Sequence, residues 1–327
     1  MATLGGTLLT RKTITTLLVC TLAIPSAFAG SIFIANRGQS TGDLFQFTQT
    51  GTLIQSISGN GLVNGQGVVL GPNGNLLVVS ESTGNVLQYN PNTGAYIGVF
   101  ATTNKYPQPI LVGPDGNVYV GASSTVERFD GLTGASLGVF ATDNRLSSVS
   151  GLAFDATGNL FVSDGNAGDI LKFSNTGALL STFATGIPPI VSGAGALLFN
   201  GPNLLVAATF APAHAGWGNQ ILAFAPNGNQ LSDFASGANL LGPDNMAFGP
   251  DGLLYIVNYA GGNVVRYTAG GQFVDTFIPN GPGSMRGIAF VNDASPAPSG
   301  VPEPSSVALA AAGLLTMAAL HSRKRPQ

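Results

Sequence analysis

The sequence predicts an all-β ring, a six-bladed β-propeller, and three observations predict it. A unit of about 42 residues recurs along the chain. Each copy holds four short β-branched or aromatic runs broken by Gly, Pro, Asn and Asp turns, the pattern of four strands without a helix. The two ends of the array complete one another, as closure of a ring requires.

The first element lies before the array. Arg11 and Lys12 precede an apolar stretch over residues 13–24, and Ala27 and Ala29 supply small residues at the positions a signal peptidase reads. Residues 1–29 are therefore expected to be a signal peptide, cut after Ala29 by signal peptidase. The apolar run is well below the ~20 residues that cross a bilayer as a helix. Cys20, the chain's only cysteine, falls in this segment, so the exported protein has no disulfide framework and must be held by a packed core.

The propeller is expected over residues 30–294. Its repeat reads GVVLGPNGNLLVVSESTGNVLQYNPNTGAYIGVFAT from Gly67, PILVGPDGNVYVGASSTVERFDGLTGASLGVFAT from Pro109 and GLAFDATGNLFVSDGNAGDILKFSNTGALLSTFAT from Gly151. Further copies begin at Ala196 and Asn245. The first turn of each copy starts at Gly71, Gly113, Asp155, Asn200 and Gly249, spacings of 42, 42, 45 and 49 residues. In the copy from Gly151 the strands are expected at 152–154, 160–163, 169–173 and 178–183. Residues 31–58 supply a second, third and fourth strand but no first. The missing strand is RGIAFVND, residues 286–293, whose Phe290 follows Phe248 by the repeat's own 42 residues. One blade shared between both ends leaves no open sheet edge in the ring.

Charge narrows the partners. Arg11, Lys12, Arg323, Lys324 and Arg325 are five of the twelve basic residues, and Glu303 is one of the fifteen acidic ones. The body keeps 7 basic against 14 acidic residues, a net charge of −7. Nucleic acid, which needs a basic footprint, is excluded as a partner. Cations or neutral polymers fit better.

Antiparallel strands send successive loops to alternate faces. The start of each first strand thus shares a face with the loop between second and third strands, and this face collects Asn36, Arg37, Asp43, Gln66, Glu81, Gln108, Asp164, Asp169, Asp244, Asn245, Asn258, Tyr259 and Arg286. It also receives the one large insertion, APAHAGWGNQ, with His214 and the only tryptophan, Trp217. Asp244, Asn245, Trp217, His214, Tyr259, Arg286 and Gln66 are the candidate ligand-binding residues, with Trp217 stacking on a ligand. On the opposite face Asp115 and Asp251 sit in stereotyped turns and read as turn chemistry. The stretch DGNAGD, residues 164–169, has the outline of a calcium loop but lacks the rest of that pattern and reads as a tight turn.

The repeat GLAFDATGNLFVSD…GDILKFSNTG resembles the NHL-type repeat and six-bladed propellers of the streptogramin-lyase-like and gluconolactonase or regucalcin-like groups, over residues 31 to about 293. Gluconolactonase-like propellers hold a central divalent metal through Glu, Asn and Asp at inner-strand starts. The segment 242–267 is similar to the one carrying the family's Asp, and the match falls on Asp244, which the resemblance makes a candidate ligand for Ca2+ or another divalent cation. The other inner strands begin near Gln66, Gln108, Ser150, Gly195 and Arg286, so the family's Glu and second-blade Asn have no clear counterpart. The lyase-like proteins need a His base, and the body offers only His214. No catalytic residue is assigned.

After Asp293 the composition changes. Residues 295–300 form a Pro/Ala/Ser linker. Residues 301–327 follow as Pro302-Glu303-Pro304, an apolar run expected to be a helix over 307–320, and the basic cluster Arg323, Lys324 and Arg325. This arrangement resembles the PEP-CTERM sorting signal of Gram-negative bacteria. The resemblance implies export across the inner membrane, transient membrane association through the short helix, and processing by an exosortase. It further implies a destination in the envelope, at the surface or in an exopolysaccharide matrix. The resulting expectation is a non-catalytic surface or matrix protein that binds polysaccharide or envelope proteins; the alternative is a metal-assisted lactonase or lyase centred on Asp244.

Overall fold

The structure, a computed structural model, describes residues 30–38, 42–187, 195–208, 219–281 and 284–292. These residues form 24 strands in six four-stranded antiparallel sheets, and no helix is found among them. Blade 1 is the shared one: Met285–Asn292 is its inner strand, followed outward by Gly30–Asn36, Asp43–Thr48 and Leu53–Ser58. Blades 2 to 6 follow in chain order, with inner strands Gly65–Leu70, Pro107–Val112, Val149–Phe154, Leu197–Asn200 and Pro243–Phe248. Each inner strand touches the next, and the one in blade 6 touches that of blade 1, so the ring is closed.

Closure is made by the expected strand, paired antiparallel with Gly30–Asn36. Ile32 faces Phe290, Phe33 faces Ala289 and Ile34 faces Ile288, and a bulge follows before Asn36 meets Met285. Blade 4 has its strands at Val149–Phe154, Leu160–Asp164, Ile170–Phe173 and Leu179–Ala184. The inner strand departs most from expectation, starting three residues earlier, because Ser150 and Gly151 interrupt its apolar pattern, while the other three differ by at most one residue at either end. Gly151 is required there: a Cβ would lie 2.0 Å from the Gly195 carbonyl oxygen of the next inner strand.

The core consists of six apolar clusters, one at each blade interface. The period of two along a strand explains them. In Leu76–Ser80, Leu76 and Val78 pack toward Phe33 and Leu44 of blade 1, while Leu77 and Val79 pack toward Val118 and Phe129 of blade 3. Both faces are covered, which is why the second strands read as continuous apolar runs. Aromatic wedges reinforce the interfaces. Tyr255 packs edge-on against Phe277 of its own blade and Phe290 of blade 1, with ring centroids 5.1 and 4.9 Å apart, and Tyr119 does the same with Phe140 and Phe154.

The stereotyped turns occupy one face, as expected. Asp115 accepts hydrogen bonds from the Asn117 amide at 3.1 Å and the Tyr119 hydroxyl at 2.9 Å, and Asp251 does the same with Leu253 and Tyr255. Both carboxylates are engaged locally, as turn chemistry requires. The signal peptide expected at 1–29, the linker at 295–300 and the helix at 307–320 lie outside the described residues.

Candidate functional site

The other face surrounds a central channel with a cavity of about 220 Å3, lined by residues of all six inner strands. Gln66, Gln108, Ser150, Asp244 and Asn245 contribute the polar part of that lining. Antiparallel alternation puts these residues at a similar height, since each is the second or third residue of the innermost strand of its blade.

At the mouth the structure brings Asp244, Tyr259 and Arg286 together. Asp244 and Arg286 are 8% and 2% exposed, and the Arg286 Nη1 donates to Asp244 Oδ1. The guanidinium carbon lies 3.9 Å from the centroid of the Tyr259 ring, a cation–π contact. Burial pushes the Asp244 carboxyl above the usual carboxylate range, and the positive charges of Arg286 and Arg37 oppose that shift without cancelling it. A second group stands beside it: Gln66 Nε2 donates to Glu81 Oε2 at 2.8 Å, and Arg37 Nη2 lies 3.5 Å from the same oxygen. An open volume of about 460 Å3 is bordered by Arg37, Asn64, Tyr259 and Ser284. Two cations and two anions share this mouth, which is therefore nearly neutral.

Asn245 lines the channel, but its Oδ1 accepts a hydrogen bond from the Met246 amide at 2.8 Å. His214 and Trp217 lie outside the described residues.

Other polar residues of this face serve the fold. Asp164, fully buried, accepts from the backbone amides of Ser147, Ser148, Asn166 and Ala167. Burial pushes its carboxyl up, but these amides outweigh that and hold it below the usual range. Its oxygens are spent on the turn, so residues 164–169 are a loop clamp and not a calcium loop. Asn258, also fully buried, accepts from the Leu241 amide and donates to the Asn239 carbonyl and to Asn263 Oδ1. Sequence reasoning missed Ser80, which plays the same part in blade 2, accepting from the Val63 amide at 2.9 Å. Its signal was positional: all three close the second strand of their blade.

A divalent cation of the kind the gluconolactonase resemblance implies does not fit these residues. Such an ion needs several oxygens converging on one point, and the Asp244 oxygen at the channel is held by a guanidinium. Among the described residues no group of three or more His, Cys, Asp or Glu side chains converges.

Comparison with known proteins agrees with this architecture. Residues 300–325 match the family model described as the PEP-CTERM protein-sorting motif. No curated protein matches the sequence. Among solved structures, a chain from the crystal structure of a nidogen/laminin complex is 14% identical, with a TM-score of 0.60, covering 80% of this chain and 98% of that one. A gluconolactonase from Xanthomonas campestris is 15% identical, with a TM-score of 0.54, covering 68% and 78%. Virginiamycin B lyase from Staphylococcus aureus is 16% identical, with a TM-score of 0.50, covering 64% and 69%. At such identities the likeness shows the fold: a six-bladed β-propeller with neighbours of the gluconolactonase and streptogramin B lyase type. To this the chain adds a PEP-CTERM motif at its C-terminal end, which points to export and to recognition by an exosortase.

Proposed function

We propose that this chain is an exported, non-catalytic protein of the cell surface or extracellular matrix that uses its propeller as a rigid binding platform. The reading makes residues 1–29 a cleaved signal and residues 301–327 an address presented to an exosortase, with membrane association through 307–320 only transient. Polysaccharide or envelope proteins are the partners. The observation that carries it is the pairing of Asp244 with Arg286 at the channel mouth. In this fold a carboxylate at that position is free to serve chemistry only if nothing neutralises it. Here a guanidinium stacked on Tyr259 does so, and the remaining inner-strand starts supply amides and hydroxyls. Such a surface suits the orientation of a neutral ligand through amides, hydroxyls and an aromatic face.

The ligand is assigned to the face that holds Gln66, Asp244, Asn245, Tyr259 and Arg286, with Trp217 and His214 contributed by the insertion. Fold likeness to lactonase and lyase structures supplies no residue that restores a reaction. Elemental analysis of the purified full chain and of Asp244→Ala, together with assays on lactone substrates, tests the reading. Absence of stoichiometric metal and of turnover is expected. A stoichiometric divalent ion that is lost in Asp244→Ala, with lactone turnover lost alongside it, would overturn the reading in favour of the enzyme.

A further inference from the structure

A second hollow of about 240 Å3 opens beside the channel, where blades 2, 3 and 4 meet. Glu81, Tyr106, Gln108, Ser123, Ser148 and Asn166 line it, so its walls are one aromatic ring, two amides, hydroxyls and a single carboxylate. No cation lines it. Gln108 also lines the channel cavity, so the hollow adjoins it.

The backbone here is unusual. Four non-glycine residues have positive φ among the described residues, and two of them, Tyr106 at 48° and Ser123 at 50°, border this hollow. The others are asparagines, which tolerate that region. A tyrosine there is strained, and glycine would hold the same turn at lower cost. The turn is nevertheless fixed: Pro107 follows, and Ser123 Oγ donates to the Lys105 carbonyl at 3.1 Å. The outcome is a tyrosine ring 62% exposed at the rim of a polar hollow. Strain kept where it brings no packing points to a use outside the fold.

Hydrogen-bonding capacity is also left over. Both contacts to Glu81, a residue 8% exposed, use Oε2, which leaves Oε1 as an acceptor. The side chains of Gln108 and Ser148 have no hydrogen-bond partner among the described residues. We infer that this hollow is a subsite for one neutral sugar ring of a polysaccharide. Tyr106 stacks on the ring's C–H face, while Gln108, Ser148 and Glu81 Oε1 bond its hydroxyls. The size admits one ring, being below the ~300–1,000 Å3 of sites for larger ligands. Anionic sugars are disfavoured, because the acidic side chain in the wall is that of Glu81 and no basic side chain lines it. The inference rests on reading this face as the binding surface, and it names the chemical class of what binds.

The test is an NMR titration of the labelled full chain with hexasaccharides of glucose, mannose and N-acetylglucosamine, with hexagalacturonate as the charged probe. At least one neutral probe is expected to shift the side-chain amides of Gln108 and Asn166, and hexagalacturonate to bind more weakly. Tyr106→Gly should lower that affinity about tenfold or more while its melting temperature stays level or rises, and Tyr106→Phe should bind like the parent. Equal binding by Tyr106→Gly overturns the subsite, as does a hexagalacturonate affinity above those of the neutral probes. A probe that shifts only Asn245 and Tyr259 overturns the subsite and leaves the binding face standing. If no neutral probe shifts either set, both readings fail.

Discussion

Replacing Arg286 by methionine keeps much of the side chain's bulk and removes its charge, which strands the Asp244 carboxylate. Asp244 and Arg286 are 8% and 2% exposed, so water cannot take the place of the guanidinium. Removing one partner of a buried ion pair costs about 3–5 kcal/mol, and loss of the stacking on Tyr259 adds about 0.5–2 kcal/mol. Against a total stability of roughly 5–15 kcal/mol, Arg286→Met should be severely destabilised at pH 8. The double variant Asp244→Asn with Arg286→Met should recover most of the loss, because a neutral pair carries no stranded charge. Acid should help the single variant. Burial already raises the Asp244 pKa above its unfolded value of 3.8, and removal of Arg286 raises it further. A raised folded pKa gives stability that is complete below the unfolded value and is lost as pH rises through the folded one. The deficit of Arg286→Met relative to the double variant should therefore shrink between pH 8 and pH 5, as measured by urea denaturation followed by circular dichroism. A deficit that is small at pH 8, or equal at both pH values, would refute the account of the pair.

Truncation before Met285 removes the inner strand of blade 1 and with it Met285, Ile288 and Val291, buried apolar side chains worth about 1.5–3 kcal/mol each. Such a chain should lose most of its stability, and a melting temperature equal to the parent's would contradict closure by the shared blade. Gly177→Ala should cost upwards of about 2 kcal/mol, because φ is 86° and the new Cβ would lie 1.9 Å from the Phe140 carbonyl oxygen of blade 3. Gly98→Ala, with open space around it, should be neutral within about 1 kcal/mol in the same melts. Asp164→Ala leaves four backbone amides without their acceptor and should cost about 3–5 kcal/mol in denaturant titrations. Because the Asp164 pKa is depressed, its contribution is present above the unfolded value of 3.8 and fades as pH falls below it. The gap between parent and Asp164→Asn should narrow in acid, and a constant gap would count against the amide cage.

The ring was legible because a repeat states its own period, and because an orphan strand at each end has a single economical pairing. The faces were legible because antiparallel strands alternate. The roles of single polar residues were not. Asp164 and Asn258 share the composition of a binding site, yet each is consumed by amides of its own blade. That partner is a loop some 17 residues away in sequence, and only the folded register brings it within reach. Arg286 and Asp244 were visible as residues of one face. Their contact depends on blades 1 and 6 being neighbours across the closure, which follows from the shared blade.

The clamps themselves indicate where recognition sits. The residue that closes the second strand pairs in register with the start of the inner strand: Ser80 with Gly65, Ala122 with Pro107, Asp164 with Val149 and Asn258 with Pro243. In blades 2, 4 and 6 that residue is polar and bonds the loop entering the blade. In blade 3 it is alanine, and the entering loop is the one that bears Tyr106 with its left-handed backbone. A loop whose amides are already claimed by a buried clamp is fixed in shape and has little polar capacity to offer a ligand. A loop without the clamp must be held by other means, and its side chains are free to vary with the ligand. The alanine at 122 is therefore a better pointer to the proposed binding surface than the acidic and amide residues that fill the same position in blades 4 and 6.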